Sequence, residues 1–452
     1  MKIVIAGAGL VGLSLAQQLV LEGHDLAIIE TDGDLCQEIE EKQDLLVING
    51  SGSDPAKMME AGISSSDVLL AVTPSDEVNI VACSIAKYHN VEQRVARVRN
   101  PAFFRDKSVY DIDQIGVTRL IDPETTVVDA ICQFISTPKA LEAAAFESGK
   151  IMLREYKVTP NMPVVGKSLA EIRQMSTDNN ILVMTVVRDD KAIIPDGELR
   201  VEPGDEILII FPARSRDAFM DLMGLPRRSA QKVVISGSSL TCYKLAERLQ
   251  QNVEKVIWVS PDYNFGNWGA SRLDRVEVLH GDCTDEELLK EIHIENAGFF
   301  VAASKNTEHN VMSSLLAKAY KVRETVTISD QPANTYHLLK SIGIDHIINP
   351  RLTTAASIMD LIHRGRILNE IKLRDMDLEA VRVIASPNCR ASSGPLSKSW
   401  RPLAKKAIVG AIIRHQDLII PTGDTVIEPG DQALVITRAR SMPDIKKMFR
   451  ER

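Results

Sequence analysis

Lys2-Ile3-Val4-Ile5-Ala6-Gly7-Ala8-Gly9-Leu10-Val11-Gly12 opens the chain. After Lys2 the run to Ala6 is apolar and mostly β-branched, which predicts a buried strand. A glycine-rich turn follows at once. Val11, Leu15 and Leu19 then recur every four residues, the spacing of one helix face. Asp25 to Glu30 is a second apolar run, and it ends in an acid. Strand, glycine turn, helix, strand and acid together make a dinucleotide-binding fingerprint.

Each residue type in that stretch has a physical task. Gly7 lets the strand turn sharply, where a Cβ would clash. Gly9 lets backbone come against a pyrophosphate, and Gly12 lets helix and strand pack closely. The first-turn N–H groups of the helix lack partners and sit at the positive end of its dipole, so a diphosphate is favoured there. Glu30 lies eighteen residues after Gly12, where an acid accepts bonds from ribose hydroxyls. A carboxylate there repels a 2′-phosphate, which makes NADP the wrong ligand.

Composition narrows the function further. The chain has 452 residues, with 44% hydrophobic and 25% charged, an ordinary soluble globular balance. Its length suggests about three domains. The net charge of −8 argues against a nucleic-acid partner and against a polybasic membrane anchor. The apolar run Ala407 to Ile413 is far shorter than the roughly 18 residues a spanning helix needs. The chain enters its first strand immediately, which predicts no signal peptide. The six cysteines form no Cys-x-x-Cys pair and fit buried thiols in a reducing cytosol. His280 and Cys283 are three apart but read as structural, so no metal site and no catalytic group is assigned.

Beyond Glu30 the same alternation continues. Leu45 to Ile48, Asp67 to Val72, Arg94 to Val98 and Val117 to Ile121 read as strands three to six, with helical stretches between them such as Glu77 to His89. Alternating strands and helices predict a doubly wound parallel sheet, whose ligands collect in the turns after the strands. The candidate cofactor contacts are Gly7, Ala8, Gly9, Leu10, Val11 and Gly12 in the first turn, then Glu30 and Thr31, Gly50 and Ser51, Thr73, and Arg97. Thr73 offers a hydroxyl to ribose or phosphate, or else forms a Thr-Pro turn. Asn79 is expected to satisfy local backbone. Arg97, charged at the end of an apolar strand, is either a phosphate partner or paired with an acid such as Asp76.

Asp122-Pro123-Glu124 opens a helix to about Ile135, and the character then changes. Ile151 to Phe211 is rich in Val, Ile and turn residues and predicts a small α+β domain, followed by a polar link from Leu225 to Gln231. The whole plan then repeats. Gly281 and Asn310 stand 231 residues after Gly50 and Asn79, and Pro332 stands 231 after Pro101. Ile419-Ile420-Pro421 and Glu428-Pro429-Gly430-Asp431 stand 226 residues after Ile193-Ile194-Pro195 and Glu202-Pro203-Gly204-Asp205. The expected architecture is a duplicated Rossmann-like α/β unit, each copy followed by a small α+β domain, divided at 1–136, 137–226, 231–366 and 367–452. The second turn, Gly237-Ser238-Ser239-Leu240-Thr241-Cys242, has lost two of its three glycines, and Ser260 stands where Glu30 would be. The second copy is expected to be structural.

With this plan the chain resembles Trk-type potassium-uptake regulatory proteins, built from tandem RCK (regulator of conductance of potassium) domains. The resemblance spans essentially the whole chain. It rests on the glycine turn with Glu30, on Thr73 to Asn79, on Arg97-Val98-Arg99-Asn100-Pro101, and on both Pro-Gly-Asp hairpins. It implies a cytoplasmic, non-enzymatic subunit, peripheral to the inner face of the membrane, that binds NAD(H) or ATP/ADP and gates a Trk/Ktr-type potassium channel subunit. It also implies a homotetramer, a ring of eight RCK domains, with the helix near Glu77 to Ala86 at an assembly interface. The first copy carries Gly50-Ser51-Gly52-Ser53 where such proteins commonly have Gly-Asp-x-Thr, a pattern kept in Gly281-Asp282-Cys283-Thr284. The competing reading is an NAD-dependent oxidoreductase, which needs a second domain that supplies an acid or base.

Overall fold

Four of the five residues of β1 (Lys2–Ala6) are buried, because this strand is covered on both faces and flanked on both sides. The computed structural model describes residues 1–43, 45–100, 112–140, 142–146, 150–176, 180–189, 191–225, 231–331, 335–362, 368–372, 379–404, 406–414, 417–438 and 441–450. β1 pairs in parallel with β2 (Asp25–Glu30) on one side and β4 (Val68–Ala71) on the other. β3 (Leu46–Asn49), β5 (Gln93–Arg97) and β6 (Arg119–Ile121) complete the order β3-β2-β1-β4-β5-β6. The chain reverses direction across the sheet between β1 and β4, and that crevice is where doubly wound sheets bind ligands.

A small antiparallel sheet follows, in the order β10-β9-β11-β8-β7. Its strands are β7 (Glu142–Phe146), β8 (Ile151–Lys157), β9 (Leu182–Arg188), β10 (Lys191–Ile193) and β11 (Glu206–Pro212). The second parallel sheet has the order β14-β13-β12-β15-β16-β17. It contains β12 (Lys232–Ser236), β13 (Lys255–Ser260), β14 (Val276–His280), β15 (Phe299–Ala302), β16 (Glu324–Ile328) and β17 (His346–Ile348). The second small sheet runs β18-β19-β22-β20-β21, from β18 (Leu368–Lys372) and β19 (Glu379–Ile384) through β20 (Ala407–Arg414) and β21 (Asp417–Ile419) to β22 (Gln432–Thr437). The duplicated α/β plan is therefore as expected. Pro101, Pro332 and residues 226–230 of the link lie outside the described residues.

The two Pro-Gly-Asp turns are built alike. Asp205 is buried and accepts from Arg188 Nε at 2.8 Å and from the Glu202 N–H at 2.8 Å. Asp431 accepts from Arg414 Nε at 2.9 Å and from the Glu428 N–H at 2.8 Å. Each buried carboxylate is thus paired and hydrogen-bonded, the condition for tolerating a charge there.

The halves exchange helices, which the linear reading does not foresee. Helix Pro123–Ser136 follows the first sheet in sequence but packs on helix Leu240–Leu249 of the second. Its Val127, Val128, Ile131 and Ile135 share one buried cluster with Val233, Ile235 and Trp258. In return, Ala355, Ile358, Met359 and Ile362 of helix Pro350–Ile362 share a cluster with Ile3, Ile5, Leu15 and Leu19. The two exchanged helices also pack on each other. Lys244 to Asp122, and Arg248 Nη2 to Asp129 at 3.0 Å, fasten the first of them. The small sheets meet through a further cluster that joins Leu153, Met184 and Ile210 to Ala411, Leu434 and Ile436.

The exchange has a measurable consequence. Ile358 is fully buried against the first sheet's helix Leu10–Leu21, although it lies in the second half of the chain. Ile358→Ala is expected to cost about 2–5 kcal/mol. Hydrogen exchange should show lost protection in residues 10–21, and unchanged protection there would contradict the packing.

Candidate functional site

The crevice between β1 and β4 is shaped by three glycines with three different surroundings. Gly7 has φ +102, and a Cβ on it would lie 3.0 Å from both the Thr73 Cα and N atoms. Gly12 is pressed against the turn itself, with a Cβ placed 2.0 Å from the Gly7 carbonyl oxygen. Gly9 is the opposite case. It opens helix Leu10–Leu21 at φ −59 without a side-chain cap, and a Cβ there would meet nothing within 4 Å. Gly7 and Gly12 are thus needed by the fold, while the face of Gly9 is open ground before the helix's unpaired first-turn N–H groups. Ala8 is buried, Val11 is buried, and Leu10 stands 55% exposed beside the turn.

Glu30 closes one wall. Its Oε2 accepts from the Ala8 N–H at 2.6 Å, and its Oε1 accepts from the Thr31 N–H at 2.7 Å, the Thr31 hydroxyl at 3.0 Å and the Asp32 N–H at 3.1 Å. Burial works against the charge. The bonds from Ala8, Asp32 and Thr31 outweigh it and hold the carboxyl below its ordinary value of 4.5. Gly50 donates its N–H to the Glu30 carbonyl at 2.8 Å. Ser51 Oγ lies 2.9 Å from Ser53 Oγ. A Cβ on Gly52 would come 2.7 Å from Ala6 Cβ, a close approach the sequence reading missed. Its signal was the second glycine in Gly50-Ser51-Gly52.

The opposite wall is Thr73 and Arg97. Thr73 donates its hydroxyl to Asn79 Oδ1 at 2.7 Å and to the Ser75 carbonyl at 3.1 Å. Asn79 is fully buried and, as expected, satisfies local backbone. Asp76 does not pair with Arg97. It accepts instead from the Arg99 N–H at 3.0 Å and the Asn100 N–H at 2.9 Å. Arg97 Nε is buried with no hydrogen-bond partner. Burial and the neighbouring Arg99 push its pKa down, and the carboxylates of Glu124 and Asp76 offset this in part. A half-buried guanidinium with an unsatisfied donor at a sheet's carboxyl edge suits an anionic ligand.

Two family descriptions recur along the chain. The TrkA-N domain matches residues 3–123 and again 233–350, and the TrkA-C domain matches 153–224 and 398–450. The chain is 32% identical to the Trk system potassium uptake protein TrkA of Haemophilus influenzae, over 99% of this chain and 98% of that protein. It is likewise 32% identical to that of Halomonas elongata, over 99% and 98%. This chain belongs to the TrkA family. Among solved structures it resembles the RCK domain of GsuK, with a TM-score of 0.60 and 17% identity, over 99% of this chain and 94% of that one. The GsuK channel bound to NAD aligns at the same TM-score and identity, over 99% and 78%. These two likenesses bear on the fold.

The second TrkA-N segment keeps the frame and fills the crevice with its own side chains. Gly237 still turns at φ +131. Ser238 Oγ lies 2.8 Å from Ser260 Oγ, the residue at Glu30's place, and accepts from the Asp262 N–H at 3.0 Å. Ser239, at the place of Gly9, caps its helix and donates to the Ala303 carbonyl at 2.8 Å. Trp258, at the place of Ile28, donates Nε1–H to the Gly237 carbonyl at 2.8 Å. Its bulk is offset by Gly269, whose Cβ would fall 2.2 Å from Trp258 Cζ3. The position of Arg97 is Ile328, which carries no charge. Asp282 is occupied by Thr284 and by His309 Nε2 at 2.8 Å.

Two expectations separate the roles in the first crevice. Gly12→Ala should destabilise the protein by about 1–3 kcal/mol through overpacking on the Gly7 carbonyl. Gly9→Ala should cost less than about 1 kcal/mol, the scale of an altered N-cap. Urea denaturation compares them, and equal losses would contradict the geometry. Glu30 sets a pH dependence. Its folded pKa lies below 4.5, so its contribution is complete above that value and is lost as pH falls through the lowered one. Glu30→Gln should therefore flatten the acid side of the stability curve, as thermal melts between neutral and acid pH will show.

Proposed function

We propose that this protein is the cytoplasmic regulatory subunit of a Trk-type potassium-uptake system, and that it senses an adenine nucleotide in its first Rossmann-like half. The observation that carries the reading is the first sheet's carboxyl edge: an open Gly9 face, a charged Glu30 and an unpartnered Arg97 Nε stand along it, on strands that flank one topological switch point, in a chain of the TrkA family. The relatives named Trk system potassium uptake protein TrkA support the physiological setting. The GsuK channel bound to NAD shares the fold, which makes NAD(H) the first ligand to test. ATP or ADP is the alternative occupant of the same site.

In this reading the diphosphate lies before Gly9, Leu10 and Val11, with Gly7, Ala8 and Gly12 shaping the turn. Glu30 and Thr31 face the ribose, Gly50 and Ser51 the adenine side, and Thr73 and Arg97 the far phosphate. The Glu30 carboxylate disfavours a 2′-phosphate. Along the chain the units divide at 1–136, 137–226, 231–366 and 367–452, with helices Pro123–Ser136 and Pro350–Ile362 exchanged between the first and the third. The protein acts by binding and carries no reaction; an NAD-dependent oxidoreductase would consume reduced nicotinamide in the presence of a substrate, which absorbance reads directly.

Assembly follows from the duplication. Helix Asp76–Tyr88 exposes Val81 (43%) and Tyr88 (84%), and Met312 (55%) holds the place of Val81 in helix Thr307–Ala319. Each chain therefore offers two related apolar faces, and joining one to the other in successive chains closes a ring. Four chains give eight Rossmann-like units beneath a membrane channel of the Trk/Ktr type. Among the described residues no helix is long and apolar enough to cross a membrane.

The expected outcome is a homotetramer by light scattering that dissociates when Val81→Asp and Met312→Asp are combined. Calorimetry should detect NADH or ATP binding that Gly9→Val abolishes. Potassium flux through a co-expressed channel subunit should depend on both protein and nucleotide. A stable monomer defeats the ring, and undiminished binding by the Gly9 variant defeats the site.

A further inference from the structure

We propose that Asn79 is the positioning residue that transmits nucleotide occupancy from the first crevice to helix Asp76–Tyr88. The inference rests on the nucleotide site proposed above.

The Asn79 side chain is fully buried and its hydrogen-bonding capacity is largely spent. Oδ1 accepts from the Thr73 N–H at 2.9 Å and from the Thr73 hydroxyl at 2.7 Å. Nδ2 donates to the Thr73 carbonyl at 3.0 Å and to the Arg97 carbonyl at 2.7 Å. One amide thus ties the exits of β4 and β5 to the first turn of the helix. Both exits border the ligand. Thr73 is the residue on which Gly7 rests, and Arg97 carries the unpartnered Nε. A ligand that shifts either exit must carry Asn79 with it, or leave a buried donor or acceptor unmade. Asp76 strengthens the link, because its carboxylate accepts from the Arg99 and Asn100 N–H groups just beyond β5. Asp at position 79 would lack the donors, Leu would lack both functions, and Gln would overreach.

The duplication supplies an internal control. Asn310 is also buried and makes the corresponding bonds: from the Ser304 N–H at 2.9 Å, to the Ser304 carbonyl at 3.0 Å and to the Ile328 carbonyl at 2.9 Å. The clasp is therefore part of the fold in both halves. The ligand connection differs. Thr73 and Ser304 both give the hydroxyl to the carbonyl two residues on, at 3.1 Å, but only Thr73 also reaches its asparagine Oδ1, at 2.7 Å. Ile328 replaces Arg97, and the serines brace the turn. A purely structural asparagine predicts matched behaviour at 79 and 310. A transmitting one predicts behaviour unique to 79.

The test compares Asn79→Ser and Asn310→Ser in the full chain, with NADH and ATP as probes. Calorimetry reads affinity, and hydrogen exchange reads residues 76–88 with and without nucleotide. In the unaltered protein the nucleotide should change exchange in this helix by about fivefold or more, the scale of an ordinary coupling. Asn79→Ser should keep affinity within about threefold while losing that change, and Asn310→Ser should keep both. A helix that still responds in Asn79→Ser overturns the inference, as does an equal loss in the two variants. If Asn79→Ser does not fold, Asn79→Asp is read in the same way. An unaltered protein that binds neither nucleotide overturns the site itself, an outcome distinct from binding without transmission.

Discussion

A parallel sheet has two apolar faces, and neither can be left to water. Each large sheet here lacks the helix that would finish one face from its own half, and takes it from the other. Ile358 and Met359 complete the core around Leu15 and Leu19, while Ile131 and Ile135 complete the core around Val233 and Trp258. Neither half can then bury its core alone. The exchange also fixes the angle between the halves, because the borrowed helices rest on each other. A change in one crevice therefore acts on a rigid pair rather than on a loosely linked unit.

Much of this was legible in the sequence, for a definite reason. β-branched runs bounded by glycine, and acids at strand ends, are local signals, and Lys2 to Glu30 carries all of them. The repeat was legible because Asn79 and Asn310 make matching backbone bonds, and the two Pro-Gly-Asp turns are built alike. The helix exchange was not legible. The apolar face of Pro123–Ser136 says that it packs, and nothing local says on which sheet. That Arg97 Nε goes without a partner was not legible either, since Asp76 is spent on backbone N–H groups that no sequence pattern announces.

The two crevices show how one turn keeps its shape with two different sets of supports. In the first, the turn is held by Glu30 reaching back to Ala8, and the ground before Gly9 stays open. In the second, Ser238, Ser239 and Trp258 supply those supports from within the protein. The Trp258 ring needs space of its own, and Gly269 beneath it provides that space. Erosion of the fingerprint is thus a repacking rather than a simple loss of glycines.

That asymmetry gives the duplication its mechanical sense. A ring built from identical sensing units would feel every ligand at every contact. In the ring proposed above, a chain that senses in one half and is self-supported in the other would present alternating responsive and fixed faces. The ligand acts only through its difference in affinity between ring shapes, since equal binding to both shifts nothing. In that ring the second half would stay braced while the contact made by helix Asp76–Tyr88 of the first half changes. The second half's turn takes its supports from within the protein, from Trp258 and through Ser239 from the Ala303 carbonyl.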